Sequence, residues 1–284
     1  MRLFCFGFGY TAETLAHHLS ARIIALAGTA TSVAAEPSPL GARLAAFQGD
    51  TASGEVRDLL AGTTHLLVSI PPDLEGDPVL RHFRDEIAAL PDLEWIGYLS
   101  TVGVYGDWQG QWVDETSPTR PKAERTLRRV QAEQAWLTFA GAAQRRVQIF
   151  RLSGIYGPGR SVIDSLRAGT ARRIVKPGQV FNRIHVDDIA RVLTAAIDRP
   201  TLYSLYNVSD DEPAPPEDVV AYAAELLGVP MPPEVPFDAA GLTGMAASFW
   251  AESKRVSNAR MKADLGVELL YPTYREGLRA LAAT

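Results

Sequence analysis

Six residues near the start of the chain, Gly7-Phe8-Gly9-Tyr10-Thr11-Ala12, have the types and spacing to hold a diphosphate. Glycine at position 7 permits a tight turn, and glycine at position 9 has no Cβ to block a phosphate. Ala12 is small enough for a helix to pack close to a strand. Backbone N–H groups at a helix start lack intrahelical partners, and the helix dipole favours an anion there. The chemistry is therefore pyrophosphate binding by backbone donors. The elements that must position it lie on either side. Residues Arg2 to Phe6 form a short apolar run, and an alanine-rich stretch continues through Leu19. Strand, glycine turn and helix follow one another without a gap. An ordinary tight βα turn would share this pattern.

The end of a second strand, expected over 22–27, decides which dinucleotide such a turn accepts. A carboxylate there would accept hydrogen bonds from the adenosine ribose, and an arginine would favour a 2′-phosphate. The segment Gly28-Thr29-Ala30-Thr31-Ser32 offers hydroxyls and neither charge. Thr29 and Ser32 could bond a ribose hydroxyl or a phosphate, or could satisfy the backbone of their own turn. With no carboxylate to repel a phosphate, the cofactor expectation is NADP or NAD, with a slight lean to NADP. Asp50, after a third strand at 44–48, is placed to meet an adenine amino group or to cap the next helix.

Composition narrows the class. The chain has 284 residues, 46% of them hydrophobic, and a net charge of −5. That is enough apolar material for a large core, and no basic surface argues for nucleic acid. The single cysteine, Cys5, lies inside the first apolar run and cannot form an internal disulfide. A buried thiol in a reducing, cytoplasmic setting is expected. No secretory signal is evident, and no apolar stretch approaches the ~20 residues that span a bilayer. The five histidines show no ligand spacing, so no metal is expected.

Strand-like and helix-like runs alternate through the first two-thirds. Further strands are expected at 65–70, 95–100 and 147–152, with helices near 53–61, 78–90 and 121–141. Continuous apolar strands separated by helices indicate an α/β, doubly wound parallel sheet covered on both faces. Ligands of such sheets bind beyond the carboxyl ends of the strands. The last third differs. Proline-rich joints at 213–216 and 230–236 separate helices near 186–198, 216–227, 255–264 and 273–283, with a strand at 203–208. This reads as a smaller C-terminal lobe.

Three more groups of residues lie beyond strand ends. They are Leu99-Ser100-Thr101-Val102-Gly103-Val104-Tyr105-Gly106-Asp107, Arg151 to Arg160 (RLSGIYGPGR), and Arg183-Ile184-His185-Val186-Asp187-Asp188 followed by Tyr206-Asn207-Val208. With the N-terminal turn, they resemble the short-chain dehydrogenase/reductase superfamily, and within it the extended, NAD-dependent epimerase/dehydratase type. The resemblance runs over nearly the whole chain. It implies a Rossmann-type nucleotide-binding core over 1–155, to which 184–209 contributes. It also implies a substrate lobe formed by 156–183 and 210–284.

The resemblance also implies a catalytic set: a serine or threonine after the fifth strand, then a tyrosine and a lysine four apart on the next helix. Thr101 matches the first position. The helical pattern reaching Gln131-Ala132-Glu133 puts Arg125 at the tyrosine position and Arg129 at the lysine position. No tyrosine in the chain is followed by lysine at a spacing of four. Arginine, protonated up to pH ~12, cannot act as a general acid near neutrality. Arg129 could still bond a ribose or phosphate, or both arginines could lie on a solvated helix face. Tyr105 is the alternative proton donor, and Tyr156 and Arg160 are placed to meet a substrate. Each could instead serve packing or a salt bridge. His185 and Asp187 suit a structural hydrogen bond. The expectation is an atypical NAD(P)-binding oxidoreductase or epimerase/dehydratase-like protein. Its substrate would be a small carbonyl or sugar-like molecule. A non-catalytic dinucleotide sensor is the alternative. Family members often pair through the helices near 78–91 and 121–141, so a homodimer is expected.

Overall fold

The computed structural model describes residues 1–284 except 34–37, 52, 200, 202 and 284. In chain order the first elements are β1 (Arg2–Phe6), α1 (Tyr10–His18), β2 (Ala25–Ala30), β3 (Arg43–Ala46), α2 (Gly54–Leu60), β4 (His65–Val68), α3 (Pro78–Ala89) and β5 (Trp95–Thr101). They are followed by β6 (Trp112–Val113), α4 (Glu124–Ala143), β7 (Val147–Leu152), β8 (Gly154–Tyr156), α5 (Val162–Arg167), β9 (Arg173–Val175), β10 (Arg183–His185), α6 (Val186–Asp198) and β11 (Leu205–Val208). The last are α7 (Pro216–Leu227), β12 (Glu234–Pro236), α8 (Gly244–Trp250), β13 (Arg255–Val256), α9 (Ala259–Leu265) and α10 (Tyr274–Ala282).

Seven strands form one sheet in the order β11-β7-β5-β4-β1-β2-β3, the doubly wound α/β arrangement read from the sequence. The order reverses beside β1, as ligand-binding sheets of this class do. β1 runs parallel to both neighbours, with Leu3 opposite Leu26 on one side and His65 on the other. Every residue of β4 and β7 is buried, as sheet strands covered on both faces must be. Phe6, Val68, Phe83, Ile96 and Trp136 meet in the core between sheet and helices.

Local sequence sets the helix starts. Ser53 caps α2 through the Val56 N–H, and Asp77 caps α3 through the Val79 and Leu80 N–H groups, with Pro78 at the first helical position. Several boundaries depart from expectation, among them the helix expected at 255–264, which runs 259–265 after a short strand at 255–256. The second strand runs 25–30, not 22–27, because Ser20–Arg22 closes a 3₁₀ turn and Arg2 of β1 pairs with Ala25. Ile24, read as part of the strand, is 79% exposed.

The chain divides into two compact units. The first comprises Met1–Thr101, Glu124–Arg151 and Ala190–Tyr206; the second comprises Val102–Ala123, Leu152–Ile189 and Asn207–Thr284. Residues 102–123, expected in the core, therefore cluster with the second unit. Its own core gathers Tyr156, Ile163, Val219, Ala223, Tyr274 and Leu278. A satellite cluster joins Ile174, Ala240 and Trp250. Among the described residues no helix is long and apolar enough to cross a membrane.

Candidate functional site

The glycine turn is shaped from below. Gly7 has φ +86°, where an L side chain is strained, and a Cβ would stand 2.5 Å from Ser69 Oγ and 2.8 Å from Ile70 Cγ2. Its N–H donates to Thr29 Oγ1 at 3.0 Å, and the Phe8 N–H donates to Thr29 O at 2.7 Å. Ser69 Oγ donates to Gly7 O at 2.7 Å. Gly9 is extended and forms the N-cap of α1, where it offers no side chain to cap the helix. Among the described residues a Cβ at Gly9 would meet nothing within 4 Å, so they leave open space over it. Thr11 and Ala12 are buried where α1 packs down, and the half-buried Tyr10 accepts a hydrogen bond from Thr14 through its carbonyl.

Of two neighbours of the turn, Thr29 differs from expectation and Asp50 loses one of its two expected roles. Thr29 lies inside β2, is fully buried, and commits its hydroxyl to Gly7, so it supports the turn and does not face a nucleotide. Asp50 is exposed and accepts from the Thr51 N–H at 2.9 Å; the cap of α2 is Ser53. Asp50 is thus open to a ligand and is not a helix cap.

The end of β5 carries two alternating hydroxyls. Ser100 points inward and donates to Glu133 Oε1 at 2.5 Å, and Glu133 pairs with Arg151 at 2.7 Å. The Glu133 and Arg151 side chains are only 6% and 7% exposed. Thr101, on the opposite face by strand alternation, is half-buried. Arg129 donates through Nη1 to Tyr98 Oη at 2.9 Å and to Leu99 O at 3.1 Å. It is bolted to the strand end and is no part of a freely solvated face. Arg125 lies one helical turn earlier and is half-buried. Burial pushes the Tyr98 phenol well above its ordinary value. Desolvation likewise raises the Asp77 carboxyl, which lies near Trp136 and Arg129. The sequence reading passed over Glu133 as a partner. Its signal was a lone acid between the apolar positions Ala132 and Trp136, with Arg151 on the following strand.

The second unit changes three expectations. Tyr105 is fully buried and its hydroxyl donates to Asn207 Oδ1 at 2.7 Å, so it holds a packed network and does not present a proton. Asn207 in turn donates its N–H to Glu115 Oε1 at 2.8 Å. Tyr156 is 8% exposed, edge-on to His185, and presses its hydroxyl so close to Gly277 that a Cβ there would lie 2.1 Å away. Burial and the charge of Asp210 push its phenol far upward. It is a core tyrosine of this unit that reaches the wall of one groove with its remaining exposed edge. Arg160 is exposed and lines a groove of about 580 Å³ with Ser161 and Arg172. His185 accepts the Asp187 N–H through Nδ1 at 3.2 Å, and burial holds its pKa below the ordinary value. Asp188 does more than start a helix: fully buried, it accepts the N–H groups of Leu270 and Tyr271 at 2.6 and 3.0 Å. Among the described residues no group of three or more His, Cys, Asp or Glu is placed to hold a metal ion.

Comparisons with known proteins agree with this fold. A functionally unknown conserved protein from Silicibacter pomeroyi, of known structure, is 49% identical; the match covers 99% of this chain and 98% of that one, with a TM-score of 0.85. The sequence model of the NAD dependent epimerase/dehydratase family matches residues 87–209. Over those residues the chain is similar to that family. In the alignment that the resemblance implies, Arg125 and Arg129 stand at the tyrosine and lysine positions. A Streptomyces 3-diazoavenalumate denitrifying reductase is 30% identical over 140 residues, 46% of this chain, and the match spans 45% of that protein's length. A human epimerase family protein solved with NADPH is 18% identical, covers 100% of this chain and 99% of its own, and has a TM-score of 0.72. At that identity it shows a shared fold.

Proposed function

We propose that this chain binds NAD(P) over the Gly7–Ala12 turn and exchanges a hydride with a small carbonyl or sugar-like substrate. The observation that carries the proposal is the open space that the described residues leave above Gly9, the N-cap of α1. A pyrophosphate fits such a place by accepting from backbone donors. The chain's own residues divide the work. Gly7, fixed by Thr29 and Ser69, sets the bend, and Gly9 leaves room for the phosphates. Asp50 accepts from the adenine amino group, and Arg129 presents a fixed charge beside the strand end to a ribose or phosphate. Thr101 donates to or accepts from the substrate oxygen. Bound NAD(P) supplies or accepts the hydride. The proton comes from water or from the substrate, because Tyr105 is committed to Asn207 and arginine does not release a proton near neutrality.

The segment after β2 holds Thr31 and Ser32 and no carboxylate, which supports the lean to NADP; the family's NAD and the human protein's NADPH support both carriers. Leu127 and Leu137 on α4 are 43% and 37% exposed, which supports pairing of two copies through that helix. A buried free thiol at Cys5 supports a reducing, cytoplasmic setting.

Thermal-shift titration with NAD and NADP tests the cofactor, since stabilisation grows as RT ln(1 + [L]/Kd). A panel of carbonyl compounds added to protein loaded with reduced cofactor tests the reaction. The expected result is oxidation by at least one compound, lost in Thr101→Ala. The replaced Tyr–Lys pair favours a second reading, a dinucleotide sensor without turnover. Binding without oxidation across the panel would select it.

A further inference from the structure

The loops at the carboxyl ends of β1 to β4 are stitched into a ring. Thr29 at the end of β2 holds Gly7, and Ser69 after β4 holds the same residue from the other side. The Phe47 N–H, after β3, donates to Ala30 O at 2.9 Å, and Gln48 Nε2 donates to Thr31 O at 3.1 Å. Each of these stitches comes from the loops and strand ends themselves. The gap left is between the loop after β3 and the loop after β4. Those strands are not neighbours, since β1 and β2 lie between them.

Arg81, on the first turn of α3, closes that gap. It grips Asp73 with both forks, Nη1 to Oδ1 at 2.9 Å and Nη2 to Oδ2 at 2.6 Å, and Nη2 also donates to Gly49 O at 2.6 Å. Asp73 anchors a tight turn: its N–H donates to Gly76 O at 2.9 Å, and its Oδ1 accepts the Glu75 N–H at 2.8 Å. Gly49 has φ +92° and precedes Asp50. His82 Nε2 lies 3.0 Å from the same Gly49 carbonyl. A bidentate guanidinium–carboxylate pair fixes direction as well as distance.

We infer that Arg81 is a positioning residue that holds the adenine side of the dinucleotide seat by tying the Gly49–Asp50 loop to the Asp73–Gly76 turn. This inference rests on the dinucleotide reading above. The Arg81 bond also keeps the Asp73 carboxyl below the usual carboxylate range, so the tie persists into mild acid.

The test compares wild type, Arg81→Ala, Arg81→Lys and Asp73→Asn by calorimetric titration with NADP, NAD and ADP, the last carrying only the adenine half. Arg81→Ala should weaken ADP and the better-bound dinucleotide by the same factor, about tenfold. Asp73→Asn should reproduce part of that loss, and Arg81→Lys, which keeps the charge without the fork, should fall between. Hydrogen exchange at Glu75 and Gly76 should accelerate in Arg81→Ala while β1 and β4 stay protected. A merely structural role would lower the melting temperature of the free protein and leave ADP affinity unchanged. A folded Arg81→Ala protein with wild-type affinity for ADP overturns the inference and leaves the dinucleotide reading standing. A wild type that binds neither carrier overturns both.

Discussion

Two places in the first unit do opposite things with side chains. At the glycine turn they are removed: Gly7 and Gly9 leave a bare backbone, and the supporting hydroxyls of Thr29 and Ser69 bond main-chain atoms. Where β5 meets α3 and α4, side chains fill the space. Ser100, Glu133 and Arg151 form a buried chain of charge, and Arg129 is fastened to Tyr98 and Leu99. On the proposed reading the first arrangement keeps a seat for a ligand, and the second holds arginines where the resemblance implies a tyrosine–lysine pair. That reading separates cofactor binding from proton transfer within one fold.

The largest effect should come from the crowded region. Glu133→Ala removes the carboxylate that pairs with the buried Arg151 and should cost about 3–5 kcal/mol in chemical denaturation. If it cost under about 1 kcal/mol, the ion pair would not hold that region. Gly7→Ala should follow at about 2–3 kcal/mol, from positive φ and the overlap with Ser69 and Ile70, and should also abolish dinucleotide stabilisation in a thermal-shift assay.

Asp77→Asn is subtler. Burial raises the Asp77 carboxyl in the folded state, so its contribution is present below its unfolded value of 3.8 and is lost as pH rises through the folded one. Asparagine retains the cap for Val79 and Leu80 without the buried charge. The variant should therefore match wild type in acid and exceed it by about 1 kcal/mol at neutral pH, measured as paired denaturation curves. Gly9→Ala should have the smallest stability effect, within about 0.5 kcal/mol, because nothing lies within reach of the new Cβ. It should nonetheless weaken NAD(P) binding. Unchanged binding in Gly9→Ala would show that the open space is not the phosphate seat.

Elements are readable in the sequence where apolar runs are long and bounded. The strand at 147–152 and the helices at 186–198 and 216–227 match their expected limits. The second strand slipped by three residues because Ala25–Ala30 is built of small residues, while the more apolar Ile23-Ile24 lies outside it. That slip carried Thr29 from a ligand-facing role to a buried one. Tyr105 and Tyr156 were read as accessible because they follow strand ends; depth depends on partners far along the chain, Asn207 and Gly277, which periodicity does not reveal. The same applies to Arg81, whose partners Gly49 and Asp73 come from two separate loops.

Thr29 has one more consequence. Its alternate pairing with β1 is fixed by register, Cys5 opposite Gly28, so the hydroxyl reaches Gly7 only when β2 is correctly threaded. A slip of one residue would put glycine or alanine there and turn every side chain of β2 to the other face. The proposed phosphate seat therefore depends on these two strands being zipped in the native alignment, and a misaligned chain would lack it.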